Sequence, residues 1–137
     1  MKRSIRSAAL TGLAGIAAFG VTALGQQAQQ QPVDPRIAAY DKGPATIDVS
    51  KYPPEMQERY KLFAKRCSKC HTLARPINCD FALEDEWERY VKRMMRKPGS
   101  NLSAAEGKEI FEFLVYDSKT RKKAMYEKKL KGSASGF

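Results

Sequence analysis

Histidine and acidic residues are scarce in this sequence. Its 137 residues include one histidine, three cysteines and one tryptophan, and 15 acidic residues stand against 25 lysines and arginines. No acid–base pair or activated nucleophile is recognisable, so the sequence predicts no enzyme activity. It carries no nucleic-acid-binding motif either, so we expect the positive charge to serve acidic protein partners rather than nucleic acid.

The most distinctive motif is the run Cys67-Ser68-Lys69-Cys70-His71. A Cys-x-x-Cys-His sequence is the acceptor for covalently attached haem of the c type. The two thiols add to the haem vinyl groups as thioethers, and the adjacent histidine supplies the proximal iron ligand. Because His71 is the only histidine in the chain, its position inside the motif makes the pattern specific. We predict one covalent haem c held by Cys67, Cys70 and His71.

Three other uses of these residues remain open. Thioredoxin-like proteins carry a Cys-x-x-Cys redox dithiol, but within a βαβ pattern that this sequence lacks. A zinc site needs four ligands, which Cys67, Cys70, His71 and Cys79 could just supply. A disulfide across two residues would leave the histidine unexplained. Cys79 itself is predicted to be a small buried side chain, with pairing to another chain as the alternative.

The N-terminus has the pattern of an export signal. Three basic residues among the first six precede an uncharged run of small and apolar residues over 8–25, which ends in a small-x-small cleavage pattern. We predict a signal peptide over 1–25, with an uncleaved membrane anchor as the alternative. Either places the remainder in the periplasm, an oxidising compartment that suits haem attachment. Removal of residues 1–25, which carry three basic residues and no acidic one, leaves a net charge of +7 instead of +10.

Two segments flank a predicted haem domain at 55–116. Residues 26–54 are rich in glutamine and proline without an apolar period, which predicts an extended arm or linker. Residues 117–137 are strongly basic and predict a solvated tail that can continue the last helix. This tail or an uncleaved N-terminal segment is the expected route to membrane association.

The haem domain has the patterns of three helices. The first begins at Pro53-Pro54, and its apolar face leads to Cys67. The second occupies 84–97, with acids at its start and cations at its end. The third opens at Ser103, which forms a capping box with Glu106. The positions predicted to face inward on the last two helices are Trp87, Tyr90, Val91, Met94, Ile110, Phe111, Leu114 and Val115. The predicted fold is all-α, with three or more helices around one haem.

Residues 72–81 are predicted to form a loop under the haem. The carbonyl of Pro76 is a candidate acceptor for the imidazole N–H, which would fix the orientation of the ring. Arg75 is a candidate partner for a haem propionate, because its planar guanidinium matches a carboxylate. Trp87 and Tyr90 are expected in the haem wall.

The sixth iron ligand must come from a residue other than histidine. A thioether is the available choice, and it raises the reduction potential. Met94 lies in the apolar stripe of the second helix and Met95 at its edge, so we predict Met94 as the ligand and Met95 as the alternative. If both methionines only pack, the iron is five-coordinate and the protein binds or senses small gaseous ligands.

These motifs together resemble the small single-haem cytochromes c of the bacterial periplasm, loosely of class I. The resemblance covers about 55–116, and rests on the haem motif and on the run WERYVKRM at 87–94, which looks like the "W…V.RM" segment before the terminal helix of such domains. It implies a cytochrome c-like fold whose first and last helices cross beside the haem, with Met94 as distal ligand. It also implies electron transfer through an exposed haem edge.

The function expected from the sequence is single-electron transport. The protein would act as a soluble shuttle, or as the cytochrome subunit of a membrane respiratory or photosynthetic complex. Lys65, Arg66 and Lys69 flank the motif and are candidates for steering an acidic redox partner to the haem edge.

Overall fold

Helices make up the regular structure of the described chain. The computed structural model describes residues 33–134, so the predicted signal or anchor and the start of the predicted arm lie outside the described residues. No strand occurs within 33–134, which confirms the all-α prediction, and no helix there is long and apolar enough to cross a membrane. The helices are α1 (Pro35–Asp41), α2 (Pro54–Cys67), α3 (Ala74–Asn78), α4 (Glu84–Met95), α5 (Ala104–Thr120) and α6 (Lys123–Ala134).

Helix α5 is the centre of the fold, because α2, α4 and α6 all pack against it. The rings of Phe63 on α2 and Phe113 on α5 lie 5.4 Å apart and are fully buried. On the α4 side, the indole Nε1 of Trp87 donates a 2.8 Å hydrogen bond to Ser118 Oγ in the interior. Burial of such rings is the main stabilising contribution in a domain of this size.

The sequence signals at the helix ends are confirmed. Ser103 caps α5, with its Oγ accepting from the amide of Glu106 at 3.2 Å while a Glu106 carboxylate oxygen accepts from the amide of Ser103 at 3.0 Å. Helix α4 begins at Glu84 as predicted and ends at Met95. Beyond it, Gly99 has φ of 75°, a left-handed conformation that glycine adopts without a steric penalty.

The prediction of an extended arm is wrong for residues 33–52. This segment contains α1, and Ile47 and Tyr52 are buried in the core. The hydroxyl of Tyr52 donates a 2.9 Å hydrogen bond to the carboxylate of Asp117 on α5. A few separated apolar side chains dock the segment without forming a periodic pattern, which is why periodicity alone missed them.

The inner face of α5 and the start of the basic tail also differ from expectation. Phe113 is fully buried, whereas Phe111 and Val115 are only partly so. Asp117 and Ser118, assigned to the solvated tail or its border, are buried because they accept the hydrogen bonds of Tyr52 and Trp87 described above. The tail does continue as helix α6, which has no buried residue.

Candidate cofactor site

A cleft of about 640 Å³ lies beside the haem motif. This volume is within the range of small-molecule and cofactor pockets. The end of α2, the outer face of α4, the residues that follow it, and parts of α1 and α3 contribute to its walls. The lining residues are Ile37, Tyr40, Arg66, Cys67, Lys69, Cys70, His71, Arg75, Cys79, Phe81, Tyr90, Arg93, Met94, Lys97, Pro98, Ser100 and Leu102.

The three residues of the motif all line this cleft. Cys67 is the last residue of α2 and is partly buried, and burial raises its pKa to about 12. Cys70 is exposed, and neither residue forms a disulfide. His71 Nδ1 lies 2.9 Å from the carbonyl oxygen of Thr72. With a proton on Nδ1 the imidazole donates to this carbonyl, which leaves Nε2 unprotonated and able to act as a ligand.

The structure separates the two candidate methionines. Met94 lines the cleft and Met95 does not. Met95 instead packs on α5, where its Sδ would lie 2.7 Å from a Cβ built on Gly107. The absence of a side chain at Gly107 is thus what makes room for Met95 between α4 and α5. Of the two methionines, Met94 therefore shares the cleft with the motif and Met95 does not.

The described residues that line the cleft include lysines and arginines but no Asp or Glu. Lys69, Arg93 and Lys97 are exposed at its walls. Arg66 is held at the wall by Glu106, at 3.1 Å, and by the carbonyl of Asn101. Such a lining favours a ligand or partner that carries negative charge. The five cationic lining residues are Arg66, Lys69, Arg75, Arg93 and Lys97.

Arg75 has a partner within the protein. Its guanidinium makes a bidentate contact with Asp41, at 3.0 Å from Nε and 2.6 Å from a terminal nitrogen. This contact raises the pKa of Arg75 and lowers that of Asp41. The predicted pairing of Arg75 with a haem propionate stays a prediction, and in this structure the guanidinium binds Asp41.

Tyr90 and Trp87 occupy different layers of the wall. Tyr90 lines the cleft and is 6% exposed, yet its hydroxyl has no hydrogen-bond partner within the described protein. An unpaired buried hydroxyl is costly, so the Tyr90 hydroxyl is a candidate donor to a bound ligand. Trp87 packs edge-on behind Tyr90 at 5.7 Å and does not line the cleft, which corrects its predicted position. Its indole N–H is engaged by Ser118 instead.

Pro76 is also behind the wall. It is buried in α3, a short helix within the segment predicted to be a loop, and its carbonyl accepts a 3.3 Å hydrogen bond from the thiol of Cys79. The carbonyl that His71 Nδ1 contacts in this structure is that of Thr72. Cys79 is 5% exposed, which confirms the prediction of a small buried side chain. Within residues 33–134 no three His, Cys, Asp or Glu side chains are grouped to hold a metal ion, so the zinc alternative has no support there.

Sequence reasoning missed Ile37 and Tyr40, which line the cleft from α1. The available signal was Asp34-Pro35. The carboxylate of Asp34 accepts from the amide of Arg36 at 2.8 Å, and Pro35 is the first residue of the helix. An Asp followed by Pro is a helix-start pattern, but a helix of only seven residues is too short to show an apolar period.

Comparison of the chain with models of protein families, with curated proteins and with solved structures gives no match. Its function is therefore inferred from the residues of the cleft.

Proposed function

We propose that the protein is a monohaem c-type cytochrome that carries single electrons in the periplasm, as a soluble shuttle or as a subunit of a membrane redox complex. One observation carries the proposal. Both thiols and the sole imidazole of a Cys-x-x-Cys-His motif line one cleft, together with the thioether of Met94. These are the attachment groups and the two axial ligands that a low-spin haem c requires.

The lining of the cleft supports a flat apolar ligand with acidic substituents. Phe81, Leu102 and the ring of Tyr90 provide apolar surface. The cationic residues and the unpaired hydroxyl of Tyr90 provide donors for carboxylates. A haem has this combination, with an apolar ring and two propionates. The residues present therefore fit the cofactor that the motif predicts.

Each residue of the site has a separate task in this proposal. Cys67 and Cys70 hold the cofactor covalently, so that it is retained in both oxidation states. The carbonyl of Thr72 keeps the imidazole of His71 in the tautomer that can bind iron through Nε2. Met94 would supply the second iron ligand, a soft thioether that raises the reduction potential. The haem itself supplies the one-electron change between ferric and ferrous iron.

The partner is expected to be acidic. Lys69, Arg93 and Lys97 line the cleft and are exposed, and none of them forms an ion pair with another residue of 33–134. Charges of one sign around the cofactor edge attract an oppositely charged protein and raise the encounter rate at low salt. A short-lived complex of this kind suits rapid electron delivery.

Optical spectroscopy during a redox titration tests the proposal. The exported protein is expected to change reversibly with a one-electron Nernst slope, to display an iron–sulfur charge-transfer band when ferric, and not to bind carbon monoxide when ferrous. Met94→Ala should abolish the band and permit carbon monoxide binding, whereas Met95→Ala, the matched control on the same helix, should retain the band. Ready carbon monoxide binding by the wild type would contradict the electron carrier and favour a gas-binding protein.

A further inference from the structure

Helix α1 lies outside the segment that resembles a cytochrome, yet it forms part of the cleft. Ile37 and Tyr40 line the cavity from this helix. None of the residues of α1 is buried, and among the other helices of the described chain it packs on α3. Helix α1 is therefore attached at the surface and covers the cleft from outside the core.

An ion pair fastens the C-terminal end of α1. The carboxylate of Asp41, the last residue of α1, receives both contacts from Arg75 on α3, at 2.6 and 3.0 Å. The two side chains are 26% and 32% exposed, respectively, so the pair is more shielded than an ordinary surface pair. Bidentate geometry of this kind holds orientation as well as proximity.

A second fastening follows immediately after α1. The side-chain amide of Asn78 on α3 donates to the carbonyl of Tyr40 at 3.1 Å and to that of Pro44 at 3.0 Å. This requires close approach of the chain at Gly43, where an added Cβ would lie 2.4 Å from the Asn78 side chain. A side chain at position 43 would therefore separate the segment from α3.

The chain is anchored again a few residues later. Ile47 is buried in the core, and its amide donates to the hydroxyl of Tyr60 at 3.2 Å. Opening of α1 would thus require changes only before Ile47. Because α1 has no buried residue and only Tyr40 of this helix packs on the hydrophobic core, its opening should cost much less than global unfolding.

We propose that residues 34–44 form a strap that closes one side of the cofactor cleft, and that the Asp41–Arg75 ion pair and the Asn78 clamp keep it closed. This inference rests on the proposed function, because it assigns the strap the task of excluding water from the bound haem. Exclusion of water from a haem disfavours the ferric charge and raises the reduction potential. Arg75 is thus a positioning residue, because it affects the haem only by holding the strap in place.

Two variants loosen the strap by different means. Asp41→Asn removes the charge of the ion pair, and Gly43→Ala introduces the clash with Asn78. The matched control is Asp85→Asn, which breaks a surface ion pair of similar length, 2.7 Å to Arg89, away from the cleft. Each is measured as the haem-loaded protein, by hydrogen exchange of the amides of 38–43 and by the reduction potential.

Asp41→Asn is expected to increase the exchange rate of these amides by about threefold to tenfold, the factor that corresponds to loss of one partly shielded ion pair. Gly43→Ala should also increase this rate, because it disrupts the hydrogen bonds of Asn78. Both should lower the reduction potential, while Asp85→Asn leaves both quantities at wild-type values. Unchanged exchange in both strap variants would refute the claim that these contacts keep the strap closed. Faster exchange with an unchanged potential would refute the covering role. Purified wild-type protein without haem would overturn the proposed function. Hydrogen exchange in that protein would still test whether the ion pair and the Asn78 clamp hold the strap.

Discussion

Replacing Gly107 with alanine is expected to reveal where Met95 lies. An alanine Cβ at this position would be 2.7 Å from Met95 Sδ, 3.3 Å from its Cε and 3.6 Å from its Cγ. Carbon and sulfur atoms normally approach no closer than about 3.5 Å. The sulfur must therefore move by about 1 Å within the interface of α4 and α5, or the helices must separate.

The magnitude follows from two opposing effects. Alanine is favoured over glycine in a helix interior by about 1 kcal/mol. Overpacking of a well-filled interface costs about 1–3 kcal/mol. Gly107→Ala in the wild type should consequently be between neutral and about 2 kcal/mol destabilising. In a Met95→Ala background the clash is gone, and the same substitution should stabilise by about 1 kcal/mol.

Denaturant unfolding of the four proteins of this double-mutant cycle provides the assay. The expected coupling energy between positions 95 and 107 is about 1–3 kcal/mol. Gly132→Ala on α6 is the matched control, because nothing lies within 4 Å of its added Cβ. A coupling energy near zero, with Gly107→Ala stabilising both backgrounds equally, would refute the placement of Met95 between the helices and reopen the choice of sulfur ligand.

Three further predictions concern the core, the cleft wall and the partner surface. Tyr52→Phe removes the hydrogen bond to the buried carboxylate of Asp117 and should lower the free energy of unfolding by about 1.5–3 kcal/mol; an unchanged denaturation midpoint would contradict this. If a haem propionate accepts from the Tyr90 hydroxyl, Tyr90→Phe should shift the pH dependence of the reduction potential by about one unit to higher pH, because that carboxylate would lose a donor that lowers its pKa; an identical profile would contradict a contact between the two groups. The rate of reduction by an acidic partner should fall as salt is added, and the double variant Lys69→Glu/Lys97→Glu should be reduced more slowly at low salt. A rate that changes neither with salt nor in the variant would contradict electrostatic attraction of the partner.

Local signals made much of the helical fold predictable. The capping box at Ser103 and the acidic start of α4 at Glu84 depend on neighbouring residues, and both are present as predicted. The Cys-x-x-Cys-His motif and Met94 could be brought together only by the fold, and both line the same cleft. Attachment of haem to that motif stays a prediction, because it is a covalent reaction rather than a property of the folded chain.

Long-range contacts account for what the sequence could not predict. The buried carboxylate of Asp117 pairs with Arg121 four residues on, but it also accepts a hydrogen bond from Tyr52, 65 residues away, and nothing local in the sequence indicates that second partner. The same holds for Arg75, whose guanidinium meets Asp41, 34 residues earlier. The strap was missed for this reason, since its attachment uses ion pairs and amide hydrogen bonds rather than an apolar period.

The intact mass of the purified protein tests the central claim most directly. The account predicts a mass that exceeds the polypeptide by one haem, retained after acid and organic solvent, and located by digestion on the peptide that contains Cys67 and Cys70. Replacing both residues with serine should abolish the added mass, whereas Cys79→Ser should preserve it. A wild-type polypeptide without added porphyrin would contradict the account.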